Sequence, residues 1–276
     1  LSTLIHAGIR NGQSIHHMMA TNKDAFTFCE KTVYGYVNAG IIRTKRGDMP
    51  RSCLMKPRKR KHMEHKVDTR CRIGRSYDDF KRYSQEHPDS ALVEMDSVLG
   101  NIGGKVLLTL QLNNCGLMLA FLRNSNNSQS VIDIFNQLEE LLGIELFQRL
   151  FPVILTDNGS EFSNPAALEK SPFTGEERTR IFYCNPYSSW QKGHVENNHL
   201  NLRKIFEKGT SFDSQTQDNI NLALSHINSF ARKSLNDVPA ITLFETLYGE
   251  ALPARLGICL IPCNEVQLIP ELVMQH

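Results

Sequence analysis

Three acidic residues stand where carboxylates can do chemistry. Asp96 lies in the apolar stretch "ALVEMDSVLG", Asp157 ends the stretch "PVILTD", and Glu196 lies in the first turn of a helix-like segment. If the two stretches are neighbouring strands with the helix beside them, all three carboxylates converge at one edge of a sheet. Hard divalent cations such as Mg²⁺ prefer carboxylate oxygens, and a pair of ions can activate the attacking oxygen and stabilise the leaving one. The pattern therefore indicates a metal-dependent reaction on a phosphodiester.

Each of these acidic residues also has a simpler interpretation. Glu94 points to the same face of a strand as Asp96, so either is a possible ligand and both could face solvent. We favour Asp96, because its shorter side chain fixes an ion more rigidly. Glu161 competes with Asp157 but is expected at the surface, and Asp157 could instead cap the Asn-Gly turn that follows it. Glu196 on its own reads as a surface residue that the helix dipole favours.

The elements that must position these residues alternate between strand and helix patterns. A three-stranded meander is predicted over "ALVEMDSVLG", "GKVLLTLQLNNC" and "GLMLAFLRN", followed by one long helix over "SQSVIDIFNQLEELLGIELFQRLF" with a Ser cap. Further strands are predicted at "PVILTD" and "TRIFYCNP", and further helices at "KGHVENNHLNLRKIFEKG", ended by Gly209, and "SQTQDNINLALSHINSFARKSL". This order predicts an α/β fold with a mixed sheet flanked by helices.

The helix that carries Glu196 separates its residues into two faces. One is a buried stripe of apolar residues: Val195, Leu202, Ile205 and Phe206. The other combines a carboxylate with two possible cations: Glu196, His199, Leu200 and Arg203. Because residues three and four apart share a helix face, this second face suits a site that DNA approaches, and we predict that Arg203 contacts DNA.

The N-terminal residues predict a helix-turn-helix. "SIHHMMATN" and "KDAFTFCEKTVYGYVNAGII" read as two helices, the second ended by Gly40. Its second helix would enter the major groove, with exposed candidates Lys31, Thr32, Tyr34, Gly35 and Asn38. We favour Lys31, Tyr34 and Asn38 as base readers. The alternative is a helical hairpin that binds nothing.

Basic residues are concentrated in one segment. The net charge is +2, but residues 41–75 hold 13 Lys or Arg against three acidic residues, a balance of +10, and the rest of the chain has a balance of −8. A cationic arm on an acidic body binds polyanions through counterion release. The predicted phosphate contacts are Arg43, Lys45, Arg46, Lys56, Arg58, Lys59, Arg60 and Lys61. A solvated linker or a nuclear address has the same composition.

Composition narrows the cellular setting. The chain has no apolar run of 18 residues and no charged start followed by a long apolar stretch, so neither a membrane span nor a signal peptide is predicted. Its seven cysteines are far apart and odd in number, which favours reduced thiols over a disulfide framework. We therefore expect a cytoplasmic protein.

Three blocks of the sequence resemble the catalytic blocks of DDE transposases and retroviral-type integrases. They are "VEMDSV", "LTDNGSEF" and "WQKGHVENNHLNLRKIF". With the predicted helix-turn-helix ahead of them, the chain resembles an insertion-sequence transposase of the IS-thirty family, from about residue 12 to about residue 250. The pairing of "TDNGSEF" with "KGHVEN" is the specific part of this resemblance.

The resemblance implies a fold and an activity. It implies an RNase H-like core, two Mg²⁺ ions that Mn²⁺ can replace, and DNA cleavage followed by strand transfer without a covalent protein–DNA intermediate. Carried over by motif, Asp96, Asp157 and Glu196 are the metal ligands. Residues 14–46 would read the element's inverted repeats, and pairing two element ends implies at least a homodimer, bound to element and target DNA. In bacteria this places the protein at the nucleoid.

One spacing departs from the family. Thirty-eight residues separate Asp157 from Glu196, somewhat more than is common in the family, and we assign the extra length to the polar stretch "LEKSPFTGEERT". Loops absorb added length at little cost, so the site need not be disturbed.

The expected organisation has four parts, and the expected function has two rivals. The parts are a helix-turn-helix domain at 1–44, a basic linker with a short helix from "SYDDFKRYSQEHPDS" at 45–88, the catalytic core at 89–250 and a tail at 251–276. The expected function is transposition. The rivals are a DNA-binding regulator that has lost activity and an RNase H-like nuclease without strand transfer.

Overall fold

A mixed sheet forms the centre of the chain. A computed structural model describes residues 1–49, 70–101 and 103–274. Its strands are β1 Leu92–Leu99, β2 Val106–Leu112, β3 Leu117–Arg123, β4 Val153–Thr156 and β5 Arg180–Tyr183. They lie in the order β3-β2-β1-β4-β5. β1, β2 and β3 pair antiparallel, whereas β4 runs parallel to both β1 and β5. The predicted mixed sheet is confirmed, and its order is consistent with an RNase H-like fold.

Helices surround this sheet and precede it. They are α1 Ser2–Arg10, α2 Ile15–Thr21, α3 Glu30–Asn38, α4 Tyr77–Glu86, α5 Ser128–Leu142, α6 Ile144–Leu150, α7 Pro165–Glu169, α8 Gly193–Ile205, α9 Gln217–Asn228, α10 Ala240–Tyr248 and α11 Leu252–Arg255. α8 packs against β1 and β2, α9 against β3, and α4 against β5. None of the helices in the described ranges is both long and apolar enough to cross a membrane.

Apolar residues of β4 and β5 alternate between the two faces of the sheet, and each face has its own layer of packed side chains. Ile154 of β4 and Ile181 of β5 belong to the main core, which α5, α8 and α9 also enter. Their strand neighbours Leu155 and Phe182 face the other way and pack beneath Phe80 of α4. This alternation follows from the two-residue period of a strand, and it leaves both faces of β4 buried. The short amphipathic helix predicted from the sequence is therefore the cover of one face.

Several helix boundaries differ from the sequence-based prediction. The long helix predicted over residues 128–151 is broken at Gly143, whose φ of +80° ends α5 before α6 begins. Its N-cap is Asn127, which accepts a hydrogen bond from Ser130 N–H, and not a serine. α8 ends at Ile205 with Phe206 as its C-cap, so Gly209 lies beyond the end of the helix. A left-handed φ is accessible to glycine, and the apolar pattern that continues through Gly143 conceals the break.

The N-terminal unit has one more helix than predicted. α1 packs on α2, where a Cβ at Gly8 would collide with Met18, and the cluster of Ile5, Ile9, Ile15, Met18, Val33 and Val37 joins both to α3. The predicted second helix is shorter than expected: Phe26 lies outside it, and α3 begins only after Cys29. Gly40, with a φ of +69°, follows it as expected.

The C-terminal segment fastens the N-terminal unit to the main core. Leu268 donates its N–H to Asn11 O at 2.8 Å, and Gln13 Nε2 donates to Val266 O at 2.7 Å. His17 is fully buried, accepts Ala231 N–H on Nδ1 at 2.9 Å and therefore donates from Nε2 to Cys263 O. Burial lowers the pKa of His17. The segment after residue 250 is thus part of the packed structure.

The buried histidines predict destabilisation in mild acid. Burial lowers the pKa of His226 to about 4 from 6.5, and His226 Nδ1 accepts Gln267 N–H. Because the unfolded state binds a proton near pH 6.5 and the folded state does not until about pH 4, stability falls as pH falls through this window. The slope is up to ~1.4 kcal/mol per pH unit for each such histidine.

Denaturant unfolding measured across this pH range tests the prediction. His226→Asn keeps an acceptor oxygen near the position of Nδ1 for Gln267 N–H and should lose its share of the slope. An unchanged slope in this variant would contradict the assignment.

Candidate functional site

Two predicted carboxylates lie side by side where the parallel pairing of β1 and β4 ends. β1 and β4 run in register with Met95 opposite Thr156, so Asp96 and Asp157 are the next residues on neighbouring strands. The side chain of Asp96 is 20% exposed and that of Asp157 is 49% exposed. The predicted neighbouring strands are therefore confirmed, and the sheet holds the first two carboxylates together at one edge.

A buried lysine lies between these two carboxylates. Lys192 Nζ is 3.4 Å from Asp96 Oδ1 and 3.8 Å from Asp157 Oδ2, and it donates a hydrogen bond to Met95 O at 3.1 Å. The Lys192 side chain is only 4% exposed. A buried ammonium needs close anionic or carbonyl partners, and Lys192 has three: two carboxylates and one carbonyl oxygen. Lys192 was not among the residues predicted for the site, although its position immediately before Gly193, the first residue of α8, could have indicated it.

Burial and the charge of Lys192 act in opposite directions on the pKa of Asp96. Burial raises the pKa of Asp96, Lys192 lowers it, and the nearby charge of Asp157 raises it. Asp96 also accepts the N–H of Ser97 on Oδ1 at 2.9 Å. The carboxylate is thus largely shielded from water, and the neighbouring Lys192 cation favours its ionised form.

Asp157 also stabilises the turn that follows β4. Its Oδ1 accepts Gly159 N–H at 2.9 Å, so it does cap the turn that follows β4. Asn158 Nδ2 donates to Cys184 O at 2.8 Å, which joins this turn to the end of β5. Glu161 is buried, not at the surface as predicted, and its carboxylate lies beside Gly159, where a Cβ would meet it.

The histidine next to Asp96 is neutral. Thr109 Oγ1 donates to Asp96 O at 3.1 Å, so the His199 Nε2–H must donate to the Thr109 oxygen at 2.9 Å. This leaves Nδ1 as an acceptor, 3.8 Å from Asp96 Oδ2. Burial, with Lys192 and Arg203 adding to it, lowers the pKa of His199 to about 4. His199 was one of the two possible cations of this face, and its lowered pKa leaves Lys192 as the positive charge next to Asp96.

Glu94 binds the start of α8 instead of facing the opening. It is 2% exposed, and its Oε2 accepts Val195 N–H at 2.8 Å. Its Oε1 accepts from Asn113 Nδ2 at 2.9 Å and from His194 Nδ1 at 3.0 Å. A carboxylate at a helix N-terminus satisfies free N–H groups and interacts favourably with the helix dipole. Both oxygens of the alternative ligand are therefore occupied in fixing the helix that carries Glu196.

Glu196 is exposed in the first turn of α8, and the predicted buried stripe of that helix is observed. The described residues contain no group of three His, Cys, Asp or Glu side chains placed to hold a metal ion together. The two aspartates still fit a divalent cation, because their hard oxygens already converge on one cationic atom. Asp96 and Asp157 as ligands of such an ion, and Glu196 as a third ligand, all stay predictions.

Of the residues predicted to contact DNA, those that the structure describes lie on and after α3 and on α8. Exposed positions on and after α3 include Lys31, Tyr34, Asn38, Arg43, Lys45 and Arg46. Arg203 donates to Leu99 O at 2.9 Å, and burial lowers the pKa of its guanidinium. Lys56, Arg58, Lys59, Arg60 and Lys61 lie outside the described residues. Their contacts with DNA all stay predictions.

The stretch assigned to extra length between Asp157 and Glu196 is structured. Lys170 and Glu177 form a bridge across it, and Arg178 is buried in an ion pair with Glu139 at 2.8 Å. Arg178 also donates to Leu168 O and Ala167 O. The added residues are thus attached to α5 and α7, and they reach β5 without entering the site.

Comparison with known proteins supports the resemblance. No family model matches the chain. Over 235 residues, 84% of this chain and 63% of the relative, it is 26% identical to the probable transposase for insertion-like sequence element IS1161 of Streptococcus salivarius. Over 63 residues, 23% of this chain and 16% of the relative, it is 33% identical to transposase InsI for insertion sequence element IS30A of Escherichia coli strain K12. The chain is transposase-like.

The transposase-like chain spans 63% of the length of its Streptococcus salivarius relative. Among solved structures, the catalytic core domain of BIV integrase matches with a TM-score of 0.41 and 19% identity, over 57% of this chain and 95% of that domain. At this score the fold assignment rests on the order and direction of the strands.

Removing Lys192 should make the fold sensitive to Mg²⁺. Lys192→Met leaves Asp96 and Asp157 facing each other without their shared cation, so unfolding in the presence of EDTA should cost about 1–3 kcal/mol less than for the native chain. Mg²⁺ should recover much of that difference, because it supplies the missing charge. Lys170→Met, at an exposed position, is the matched control. Thermal or denaturant unfolding with and without Mg²⁺ measures both, and a loss that Mg²⁺ does not recover contradicts this account.

Glu94→Gln should destabilise the fold more than Glu196→Gln. The amide places an N–H donor against other donors at the start of α8, which should cost about 1–3 kcal/mol. The exposed Glu196→Gln should stay within about 0.5 kcal/mol of the native chain. Denaturant unfolding compares the two variants, and equal stabilities would refute the role assigned to Glu94.

Proposed function

We propose that this chain is a transposase that cleaves DNA at the ends of a mobile element and joins the freed strand to target DNA. One observation carries the proposal: Asp96 and Asp157 converge on a single cationic atom where the parallel pairing of β1 and β4 ends. The names of its relatives support the same activity. Because the chain covers only part of those relatives, the activity of the whole protein is part of the proposal.

The chemistry at this edge would use the two aspartates as ligands of divalent cations, Mg²⁺ or Mn²⁺. Bound there, a divalent ion activates the attacking oxygen and stabilises charge on the leaving one. Glu196, on the helix that Glu94 fixes beside the strands, would complete the ligand set. The Lys192 ammonium brings positive charge to the position that a phosphate must approach, and neutral His199 holds Thr109 against the β1 backbone.

The N-terminal unit would recognise the element's ends. Lys31, Tyr34 and Asn38 lie on exposed positions of α3, the element suited to the major groove. The basic residues that follow α3, from Arg43 to Arg46, would position the phosphate backbone. Bringing two ends together requires at least two copies of the chain.

The proposal predicts loss of both reaction steps when a carboxylate is neutralised. Purified chain is incubated with Mg²⁺ and duplexes taken from the DNA on either side of its gene. Asp157→Asn and Glu196→Gln should each lower cleavage and joining by at least about 100-fold. Glu140→Gln, an exposed carboxylate on α5, should leave both unchanged. Full activity in Asp157→Asn overturns the assignment of the site.

The products separate transposition from its rivals. Joined strands support the proposal, whereas nicks without joining identify an RNase H-like nuclease. Specific binding without any cleavage identifies a regulator. Either of the last two results overturns transposition as the function.

A further inference from the structure

A buried arginine on the edge strand of the sheet reaches the strand that carries Asp96. Arg123 is the last residue of β3, and it is only 2% exposed. Its partner on β2 is Val106, which in turn pairs with Leu99 of β1. The Arg123 side chain extends past β2 and donates from Nη2 to Ser97 Oγ at 2.8 Å. Arg123 therefore contacts the residue that follows Asp96.

The same guanidinium also contacts α5 and the segment that leads into it. Nη1 donates to Ser130 Oγ at 3.0 Å, and Nη2 donates to Asn126 Oδ1 at 3.1 Å. Nε is buried and has no hydrogen-bond partner among the described residues. Burial lowers the pKa of Arg123 to about 10, and the charge of Glu161 raises it. Because its contacts are with neutral oxygens, this buried cation depends on an anion nearby, and Glu161 provides one.

Glu161 lies behind the turn that Asp157 caps. It is 8% exposed, and it belongs to the turn Ser160–Phe162, which packs against α5. A Cβ on Gly159 would collide with the Glu161 carboxylate and would lie 3.1 Å from Asp157 Oδ1. Since Asp157 Oδ1 also accepts Gly159 N–H, any movement of this turn moves the aspartate as well.

Arg123 and Glu161 thus support the two aspartates from the α5 side of the sheet. Ser97 points to the opposite face of β1 from Asp96, because successive residues of a strand alternate. Ser97 also donates its N–H to Asp96 Oδ1 at 2.9 Å, so a shift of Ser97 displaces the aspartate. Buried opposite charges attract each other beyond contact distance, because little water screens them. The attraction links β1 to the turn after β4.

We propose that Arg123 and Glu161 are positioning residues that hold the Asp96 and Asp157 carboxylates at the spacing a divalent cation requires. The proposal rests on the proposed function, which takes the two aspartates as cation ligands. Arg123 acts through β1, and Glu161 acts through the turn after β4. Residues that hold metal ligands from behind fix the orientation of those ligands, and their loss lowers metal affinity by about 10- to 100-fold.

The affinity of the purified chain for Mn²⁺ separates positioning from simple charge. Arg123→Met removes a positive charge near the aspartates, so charge alone would make Mn²⁺ bind more tightly. Positioning predicts the opposite, a loss of about 10- to 100-fold. Titration of the chain with Mn²⁺, followed by electron paramagnetic resonance of the free ion, measures the affinity. Arg82→Met removes one positive charge from an exposed position on α4 and should leave the affinity unchanged.

Ser97→Ala tests the route by which Arg123 acts. The change leaves every charge in place and removes the hydroxyl that Arg123 contacts. It should also weaken Mn²⁺ binding, and adding Arg123→Met should weaken it little further, because both changes remove the same contact. Fully additive losses contradict this route. Far-UV circular dichroism shows whether each variant is folded, and Ser97→Ala, the smaller change, keeps the test decisive should Arg123→Met fail to fold.

A double-mutant cycle tests the pairing of Arg123 with Glu161. Glu161→Gln should weaken Mn²⁺ binding in the native chain. In the Arg123→Met background it should weaken binding much less, because the attraction between the two residues is already lost. Equal losses in both backgrounds refute the pairing.

The two proposals fail in different ways. A chain that cleaves and joins DNA, and whose Mn²⁺ affinity is unchanged or raised by Arg123→Met, refutes positioning and leaves the proposed function standing. A chain whose Mn²⁺ affinity falls as expected, but that neither cuts nor joins DNA, refutes transposition alone. A native chain that binds no Mn²⁺ refutes both.

Discussion

The site depends on one buried ammonium group. Lys192 Nζ contacts Asp96, Asp157 and Met95 O, and thereby joins the segment before α8 to β1 and to the end of β4. Two carboxylates on neighbouring strands repel each other, most strongly where one is as shielded from water as Asp96. The lysine offsets this repulsion from inside the fold. The two carboxylates can therefore lie side by side before any ligand arrives.

The position of α8 follows from a second buried charge. Glu94 lies on β1 two residues before Asp96, and its carboxylate accepts Val195 N–H at the start of the helix. The same strand thus provides a carboxylate for the proposed chemistry and a carboxylate that fixes the adjacent helix. Because residues two apart share one strand face, a change in the register of β1 would displace both together.

Local patterns in the sequence predict the strands and the acidic residue at the end of β4, since these depend on near neighbours. The break at Gly143 could not be predicted, because helical periodicity continues through a residue whose left-handed φ has no sequence signature beyond its identity. The roles of Lys192 and Glu94 arise from contacts about 100 residues apart in the chain, which only the assembled sheet creates. Glu161 was misjudged because residues 160–162 pack against α5, which is a tertiary feature.

The most direct test of the central claim is the location of Mn²⁺ in crystals of the chain, determined by anomalous scattering. The account predicts a peak between the Asp96 and Asp157 carboxylates, within about 2.0–2.4 Å of an oxygen from each, with Lys192 Nζ moved away from the position it holds here. A chain that binds Mn²⁺ elsewhere while Lys192 stays between the two aspartates would contradict it.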